Sequence, residues 1–480
     1  MTLETHRAQP KSGAGLPPDS VERFRAQLRG PLIRPGDADY EEACQLYNAM
    51  IHKRPAMVAR CADVADVIAS VTFAREQGLL LAVRGGGHSG GGMGLVDDGL
   101  VIDLSNMRGV RVDPQARTVR VAGGCVWGDV DHATHAFGLA VPSGIISTTG
   151  VAGLTLGGGT GHLTRRFGLT IDNLLAVDLV LADGRLVTAN AEQHPDLFWA
   201  VRGGGGNFGV VTSFLFRAHP VDTIIGGPTL WPLDRAAEVM RWYREFLPAA
   251  PEDLNGFFAF MTVPPAPPFP ESLHLQKMCG VVWCYTGAPA RADALFAPVK
   301  ALKPALHGVQ PMPYPLLQAA FDGLYPPGLQ WYWRADFVRE LSDDAIARHV
   351  EFAERLPSMH STMHLYPVDG AAHRVGPHDT AFRYRDARWN QVMVGVDPSP
   401  EKAADISAWA KDYWNAVHPY SAGGAYVNFM MDEGQDRVRA TYGDNYARLV
   451  EVKNRYDPTN LFRVNQNIPP DPVPPAHVAH

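Results

Sequence analysis

An apolar run that ends in two clusters of glycine constrains this chain more than any other feature. Residues 79–94 read LLLAVRGGGHSGGGMG, and a buried strand is predicted over 79–83. Glycine costs backbone entropy, so it is favoured where the backbone takes a positive φ or approaches another group closely. Successive backbone N–H groups in such a loop form a concave nest for an anion such as pyrophosphate. The stretch indicates either a phosphate-binding loop that encloses an imidazole, His88, or a flexible glycine turn.

The Rossmann fingerprint is the obvious alternative for this loop, and the sequence argues against it. In that motif the glycines open a helix directly after the strand. Residues 89–100 are rich in glycine and show no helical periodicity. If the loop binds phosphate, it does so in another fold.

Length and charge narrow the class of protein. With 480 residues the chain is long enough for two to three domains. Hydrophobic residues make up 46% and charged residues 19%, which is typical of globular proteins. A net charge of −7 argues against a nucleic-acid partner. Because no apolar run reaches about 18 residues and no secretory signal is recognisable, we expect a cytoplasmic protein without a membrane span.

The spacing of cysteine and histidine predicts neither a disulfide framework nor a metal site. The five cysteines are odd in number and lack CxxC spacing. His360, His364, His373 and His378 lack the spacing of a zinc motif. The proline-rich end of the chain predicts a disordered tail over residues 471–480.

The glycine clusters divide the chain into regions of different character. A second cluster follows at 157–161 and a third at 203–206. Periodicity predicts a strand–helix–strand unit over 55–83 and a hairpin-rich region over 100–122. From about 221 to 420 the clusters stop, and helical patterns alternate with strand-like runs. That alternation predicts an α+β domain, an antiparallel sheet with helices on one side.

The joint order of these motifs resembles one protein family. The three clusters, the histidine in RGGGHS and the closing segment YVNF…YGDNYARLVEVKNRYDPTNLFRVNQNI are similar to the berberine bridge enzyme-like flavoproteins of the vanillyl-alcohol oxidase superfamily, especially the 6-hydroxy-D-nicotine oxidase-like members. The resemblance implies an α+β fold with a two-part PCMH-type FAD-binding domain and an inserted α+β substrate domain. The FAD-binding domain would comprise 1–220, with its core at about 54–220, and 421–470. The substrate domain, in which the likeness is loose, would comprise 221–420.

The resemblance also implies where FAD would bind. The loop would hold the pyrophosphate through Arg84, Gly85, Gly86, Gly87, His88 and Ser89, and His88 would be bonded covalently to the flavin 8α-methyl group. The other implied contacts are Gly144, Thr148, Gly150, Gly153, Gly158, Gly161, Asp172, Asn173 and Val211. Two alternatives stay open: His88 could form only a hydrogen bond, and the glycines could serve tight packing. Because Ile146 stands where many members have a second flavin-linking cysteine, a single covalent bond is predicted.

Three residues are implied in the chemistry. Tyr426 lies in a predicted strand, AYVNF, and matches the tyrosine that the family uses near the flavin, with Asn428 on the same face. Gln391 would take the position at which some plant members have a catalytic glutamate. An unperturbed tyrosine has a pKa near ~10, so Tyr426 could act as a base only with a lowered pKa or a proton relay. The alternative is that Tyr426 packs on the flavin and orients the substrate.

Substrate contacts are predicted from alternating strand positions and from aromatic runs. Thr362, His364 and Tyr366 alternate onto one face of a strand, and Trp389, Gln391 and Met393 do so in another. The residues assigned to the substrate are Tyr332, His364, Tyr366 and Trp389. A wall of this kind suits an aromatic or polycyclic ligand, and an ordinary core position is the alternative for each residue.

The function implied by the resemblance is that of an FAD-dependent oxidase. It would dehydrogenate a small molecule (an alcohol, an amine or a polycyclic secondary metabolite) by hydride transfer to flavin N5, and O₂ would reoxidise the flavin to give H₂O₂. The alternatives are an FAD dehydrogenase with another electron acceptor, an oxidative cyclase, and a degenerate flavin-binding member. The expected partners are a small-molecule substrate and O₂, and the sequence leaves monomer and homodimer equally open.

Overall fold

A small sheet near the start of the chain carries the glycine loop. The structure is a computed structural model and describes residues 12–472. The elements here are β1 (Leu32–Ile33), β2 (Met57–Arg60), β3 (Leu81–Arg84) and β4 (Leu100–Asp103), with α1 (Pro18–Gln27), α2 (Tyr40–Ala43) and α3 (Val64–Gln77). β2 and β3 both run parallel to β4, which confirms the predicted strand–helix–strand unit. α3 is capped at its start by Asp63, whose side chain accepts two backbone N–H bonds, and at its end by Gly78, whose φ of 67° suits glycine.

A second, antiparallel sheet completes the first half of the chain. Its elements are β5 (Val110–Asp113), β6 (Thr118–Ala122), α4 (Trp127–His135), β7 (Leu139–Ala140), α5 (Val151–Gly157), α6 (Thr164–Phe167), β8 (Leu174–Val180), β9 (Leu186–Asn190), α7 (Pro195–Val201), β10 (Val210–Arg217) and β11 (His219–Pro220). The strand order is β5-β6-β10-β8-β9, and β7 pairs separately with β11. The segments between these elements contain the second and third glycine clusters. They therefore lie on the same half of the molecule as the first cluster.

A large antiparallel sheet forms the inserted half. Its elements are β12 (Thr223–Pro232), α8 (Ala236–Ala249), β13 (Leu254–Thr262), β14 (Lys277–Tyr285), α9 (Ala292–Ala301), β15 (Leu306–His307), β16 (Gln310–Pro313), α10 (Tyr314–Gln318), β17 (Gln330–Val338), α11 (Asp343–Ala353), β18 (Thr362–Pro367), β19 (Trp389–Asp397) and α12 (Ala403–Val417). The order is β15-β12-β14-β13-β18-β19-β17, and β16 pairs with β12. This sheet with its helices confirms the α+β prediction for the region.

The two faces of the inserted sheet pack against different partners. Trp283, Met363 and Met393 point to one face and share a core with α8, α9, α11 and α12. Tyr366 and Val392 point to the other face and belong to a core that includes residues of the first half. Because successive strand residues alternate between faces, each strand contributes to both layers. The face opposite α8, α9, α11 and α12 is the one turned toward the glycine clusters.

The end of the chain returns to the first half. It contains a short 3₁₀ turn over Val427–Phe429, then α13 (Gln435–Tyr442) and α14 (Tyr446–Tyr456). The strand predicted at AYVNF is therefore wrong. The buried Lys453 ammonium on α14 donates to the Asn207 carbonyl at 2.7 Å and to Asp457 at 2.7 Å, and so ties α14 to the third glycine cluster. Such a charge is stable when buried because it is paired and hydrogen-bonded.

The two-part α+β architecture is confirmed, whereas the exact boundaries at residues 221 and 421 stay predictions. Residues 473–480 of the predicted tail lie outside the described residues. Between residues 12 and 472, no helix is long and apolar enough to cross a membrane. In the same part of the chain, no group of three or more His, Cys, Asp or Glu side chains is placed to hold a metal ion.

Candidate active site

A cavity of about 350 Å³ lies where the two halves meet. Its walls come from the glycine loop after β3, from the segment leading into α5, from residues 426–430 and from the face of β17, β18 and β19 that points away from α11 and α12. The volume is that of a small-molecule site. Of the predicted cofactor contacts, the structure places around the cavity Arg84, Gly85, Gly86, Gly87, His88, Ser89, Gly144, Gly150, Gly153 and Val211.

The glycine loop is shaped by a close approach of two backbones. A Cβ atom on Gly86 would lie closer than 3.0 Å to the backbone of Gly150, and the reverse also holds. Gly87 has a φ of 71°, which favours glycine. Within residues 12–472, the N–H groups of Gly86, Gly87 and His88 donate no hydrogen bond. Consecutive unused N–H groups are what an anion-binding nest requires.

His88 is held on two sides. Its ring stacks on Tyr47, with centroids 3.9 Å apart and planes inclined by 18°. Its Nε2 atom lies 3.2 Å from the Thr148 hydroxyl oxygen. Burial lowers the pKa of His88 to about 4, so the imidazole is neutral at pH 7. Thr148 borders a cleft on the other side of the loop, so it contacts His88 without lining the cavity.

Arg84 and Asp172 are committed to protein partners, contrary to the roles predicted for them. The Arg84 guanidinium donates to the buried Asp103 carboxylate at 2.7 Å and to the Ala43 carbonyl at 2.6 Å, so it supports the loop from behind. Asp172 accepts two bonds from Arg385, at 2.7 and 2.8 Å, in a buried bidentate ion pair. The Arg84 guanidinium is therefore not free to bind the pyrophosphate, and the Asp172 carboxylate is not free for the FAD contact that the resemblance implied.

Three further predicted contacts also lie away from the cavity wall. Asn173 donates to the carbonyls of Phe167 and Leu169, both at 2.9 Å. A Cβ atom on Gly158 would lie closer than 3.0 Å to Phe382, and one on Gly161 would meet backbone carbonyl groups. At Gly158 and Gly161 the structure therefore supports the packing alternative.

Tyr426 and Asn428 meet at the cavity although they are not in a strand. The Tyr426 hydroxyl accepts from the Gly159 N–H at 2.8 Å and from Asn428 Nδ2 at 2.7 Å. Asn428 Nδ2 also donates to the Leu154 carbonyl at 3.0 Å, which fixes the amide. Burial raises the pKa of Tyr426 to about 12, against the opposing effect of these donors. With both lone pairs engaged, the hydroxyl can only donate its proton into the cavity at neutral pH.

Gln391 and Trp389 lie on the wrong face of the sheet for the roles predicted for them. In the register of β18 and β19, His364 pairs with Val392 and Thr362 pairs with Val394, so these valines share the cavity face. The side chains one position away point to the helices. Trp389 packs near Tyr243 with centroids 6.5 Å apart, and Gln391 lies beside the buried His349. Gln391 is therefore not a candidate for the chemistry.

Tyr332 is also turned away, and its neighbours take its place. Its ring lies beneath the Lys411 ammonium at 5.1 Å, on the helix side of β17. Trp331 and Trp333 line the cavity instead, together with Tyr325 and Tyr47. Trp331 is 5.2 Å from Tyr47 and 5.7 Å from Trp333 between ring centroids. Tyr47, Tyr325 and Trp331 were not among the predicted substrate contacts, and the only sequence signal of this wall is the density of aromatic residues in LYPPGLQWYW.

Comparison with known proteins identifies the family. The sequence model described as "FAD binding domain" matches residues 55–190, and that described as "Berberine and berberine like" matches 425–469. The chain is 32% identical to the uncharacterized FAD-linked oxidoreductase YgaK of Bacillus subtilis (strain 168), over 93% of this chain and 98% of the relative. The chain belongs to the berberine bridge enzyme-like FAD-linked oxidoreductases.

Two further likenesses agree with this assignment. The chain is 27% identical to the (R)-6-hydroxynicotine oxidase of Paenarthrobacter nicotinovorans, over 92% of this chain and 97% of that protein. Among solved structures, 6-hydroxy-D-nicotine oxidase from Arthrobacter nicotinovorans superposes with a TM-score of 0.82 at 25% identity, over 92% of this chain and 98% of that one. This FAD-linked oxidoreductase therefore has both the sequence and the fold of the family.

The residues around the cavity fit an FAD molecule. The unused N–H groups of Gly86, Gly87 and His88 offer a nest for its pyrophosphate, and the neutral His88 lies beside them. Gly153 and Gly206 face the cavity, and a Cβ atom on either would meet no atom within 4 Å. Glycine at these two positions leaves open the space that a cofactor needs.

Proposed function

We propose that this FAD-linked oxidoreductase is an oxidase that removes two electrons and two protons from a small molecule and transfers them to O₂, giving H₂O₂. One observation carries the proposal: the cavity brings the glycine loop, His88 and the Tyr426–Asn428 pair together against a wall that belongs to the inserted half. Two relatives named as oxidases, the (R)-6-hydroxynicotine oxidase and the carbohydrate oxidase of Microdochium nivale, support O₂ as the acceptor. When bound, FAD supplies the two-electron chemistry.

His88 is the proposed covalent anchor of the cofactor, through a single bond. A neutral imidazole is a competent nucleophile, and the stack on Tyr47 and the hydrogen bond to Thr148 hold it in one orientation. Ile146 lines the cavity at the position of the second linkage found in many members. All five cysteines are buried, and none of them lines the cavity.

Tyr426 is the proposed contact for the substrate heteroatom next to the carbon that is oxidised. Its hydroxyl keeps its proton up to a pKa of about 12, so in the resting enzyme it donates a hydrogen bond and orients the substrate. The two N–H donors on the same oxygen, from Gly159 and Asn428, also stabilise a phenolate whenever the proton leaves. The Tyr426 hydroxyl, held in place by these two donors, therefore both orients the substrate heteroatom and handles its proton.

Two measurements on the purified protein test the proposal. The first is an absorption spectrum before and after acid precipitation: flavin retained in the pellet supports the covalent bond, and flavin released into the supernatant contradicts it. The second is peroxide formation with no acceptor other than O₂. Dye reduction without peroxide would assign the dehydrogenase alternative, and a colourless protein would contradict the proposal as a whole.

A further inference from the structure

We infer that the substrate is a neutral, largely flat and apolar molecule that carries, besides the heteroatom next to the reacting carbon, one hydrogen-bond acceptor, which binds to His364 on the inserted sheet. The inference rests on the proposed function, since it concerns the substrate of the same cavity. It follows from which polar groups of the cavity wall are still available to a ligand. It excludes two substrate classes, sugars and carboxylates.

Most polar atoms on the inserted wall are already used by the protein. The Thr362 hydroxyl donates to the Phe260 carbonyl at 2.6 Å, and the Tyr325 hydroxyl donates to the His360 carbonyl at 3.3 Å. The indole nitrogens of Trp331 and Trp333 make no hydrogen bond, but both are fully buried, so these side chains present carbon to the cavity. Among the described residues, His364 Nε2 makes no hydrogen bond, and His364 lines the cavity. The inserted wall therefore offers one polar atom that is both unbonded and accessible.

Tyr366 determines what that atom can do. Its hydroxyl lies 2.5 Å from His364 Nδ1, which is its only hydrogen-bond partner in the described residues. Burial raises the pKa of Tyr366 well above its usual value, so the phenol keeps its proton and donates it to Nδ1. Burial also lowers the pKa of His364, which keeps the ring neutral. A neutral ring that accepts at Nδ1 carries its hydrogen on Nε2, so His364 presents a donor to the substrate.

The cavity offers no charge to a ligand. Arg84 is the one charged side chain on its wall within residues 12–472, and Arg84 is ion-paired with Asp103. A carboxylate in this cavity would lose its hydration without gaining a counter-charge. A sugar would place several hydroxyl groups against a wall with one donor, and each hydroxyl left without a partner weakens binding by about 5- to 150-fold.

Phe429 contacts the tyrosines of both donor groups. The rings of Tyr366 and Tyr426 pack against it at centroid distances of 5.8 and 5.0 Å. A substrate that reaches both donors has one acceptor for His364 and a hydroxyl or amine, next to the reacting carbon, for Tyr426.

Four benzyl-type probes and one sugar test the inference on the holoenzyme. 4-Methoxybenzyl alcohol and 4-ethylbenzyl alcohol differ only in an ether oxygen that is replaced by CH₂, while 4-carboxybenzyl alcohol adds a charge, benzyl alcohol lacks the substituent, and cellobiose represents sugars. Binding is read from the perturbation of the flavin absorption spectrum, which does not require turnover. We expect the methoxy probe to bind about tenfold tighter than the ethyl probe, and the carboxylate and cellobiose to bind at least 100-fold more weakly than the methoxy probe.

Matched variants test whether His364 and Tyr366 cause the difference in affinity between the methoxy and ethyl probes. In His364→Phe the methoxy and ethyl probes should bind equally, and in Tyr366→Phe their ratio should fall, because the tautomer of His364 is no longer fixed. Tyr325→Phe is the control: it removes a hydroxyl from the same wall that is already bonded to the protein, and the ratio should stay near ten. Equal binding of the two probes to the wild type, preferred binding of cellobiose, no binding of any probe, or a ratio that survives in His364→Phe would each overturn the inference. Failure of the proposed function would show separately, as absent flavin or absent peroxide.

Discussion

Neutralising Asp172 should destabilise the protein without removing its cofactor. Asp172 and Arg385 form two hydrogen bonds, of 2.7 and 2.8 Å, and both side chains are almost fully buried. The pair joins the first half of the chain to the loop before β19, across 213 residues of sequence. Asp172→Asn keeps the shape of the side chain and an acceptor for the Leu169 N–H, but leaves the Arg385 guanidinium without a counter-charge.

The expected loss of unfolding free energy in Asp172→Asn is large because the charge left on Arg385 is buried. Removing one partner of a buried ion pair costs about 3–5 kcal/mol, whereas replacing both by uncharged groups is often neutral. Arg385 keeps its bond to the Thr380 hydroxyl at 2.9 Å, which places the expected loss at the lower end, about 3 kcal/mol. The assay is urea unfolding followed by tryptophan fluorescence, with flavin content measured on the same samples.

A double variant provides the control for this prediction. Asp172→Asn combined with Arg385→Met removes both charges and should recover more than half of the lost free energy of unfolding. Flavin content should stay at the wild-type value in both proteins. If Asp172→Asn instead released flavin at unchanged stability, Asp172 would be a cofactor contact, as the family resemblance implied, and the ion-pair argument would be refuted.

Four other perturbations have defined outcomes. His88→Ala should move flavin from the acid pellet to the supernatant, and flavin that stays in the pellet would refute the assigned bond. Thr148→Val should slow covalent attachment of FAD to apoprotein while Thr148→Ser should not, because only the valine removes the hydroxyl 3.2 Å from His88 Nε2; equal rates would show that Thr148 plays no part. Gly86→Ala should abolish flavin binding, because its Cβ atom would clash with the backbone of Gly150. Gly206→Ala is the control for folding: its Cβ atom would have no protein atom within 4 Å, so the protein should stay folded. Normal flavin content in Gly86→Ala would contradict the close approach of the two backbones. Burial raises the pKa of Asp131 to about 8, whereas the unfolded value is near ~4. Between these pH values unfolding releases a proton, so the free energy of unfolding falls as the pH rises, by up to about 1.4 kcal/mol per pH unit. The urea midpoints at pH 5 and pH 7.5 should therefore differ less in Asp131→Asn than in the wild type, and an equal difference would refute the shift.

The fold was predictable where periodicity and glycine placement agree. The unit from β2 to β3 followed from an apolar strand, a capped helix and a second apolar strand, and α8, α9, α11 and α12 followed from helical patterns. β12 and β13 were missed because their continuous apolar runs, interrupted by glycine, lack the alternation that marks a half-buried strand. The turn at Val427–Phe429 was mistaken for a strand, since three residues are too few to show a period.

The site was predictable as a set of motifs but not as a set of contacts. The shared face of Thr362, His364 and Tyr366 follows from the period of two within one strand. Which face of β19 joins it depends on the register between strands, and a slip of one residue exchanges Val392 for Gln391. Likewise, the partner of Asp172 lies on a distant segment, and local sequence carries no signal of that contact.

The position of the last segment sets the order in which the protein can mature. Tyr426 and Asn428 leave the ribosome more than 300 residues after His88, and Lys453 locks α14 to Asn207 later still. During synthesis the nascent chain therefore exposes a complete glycine loop to cellular FAD before the wall opposite it exists. A chain that terminates before residue 425 retains His88 but lacks Tyr426, Asn428 and the Lys453 contact. Under the proposed function, a closed flavin site therefore requires synthesis to continue past these residues.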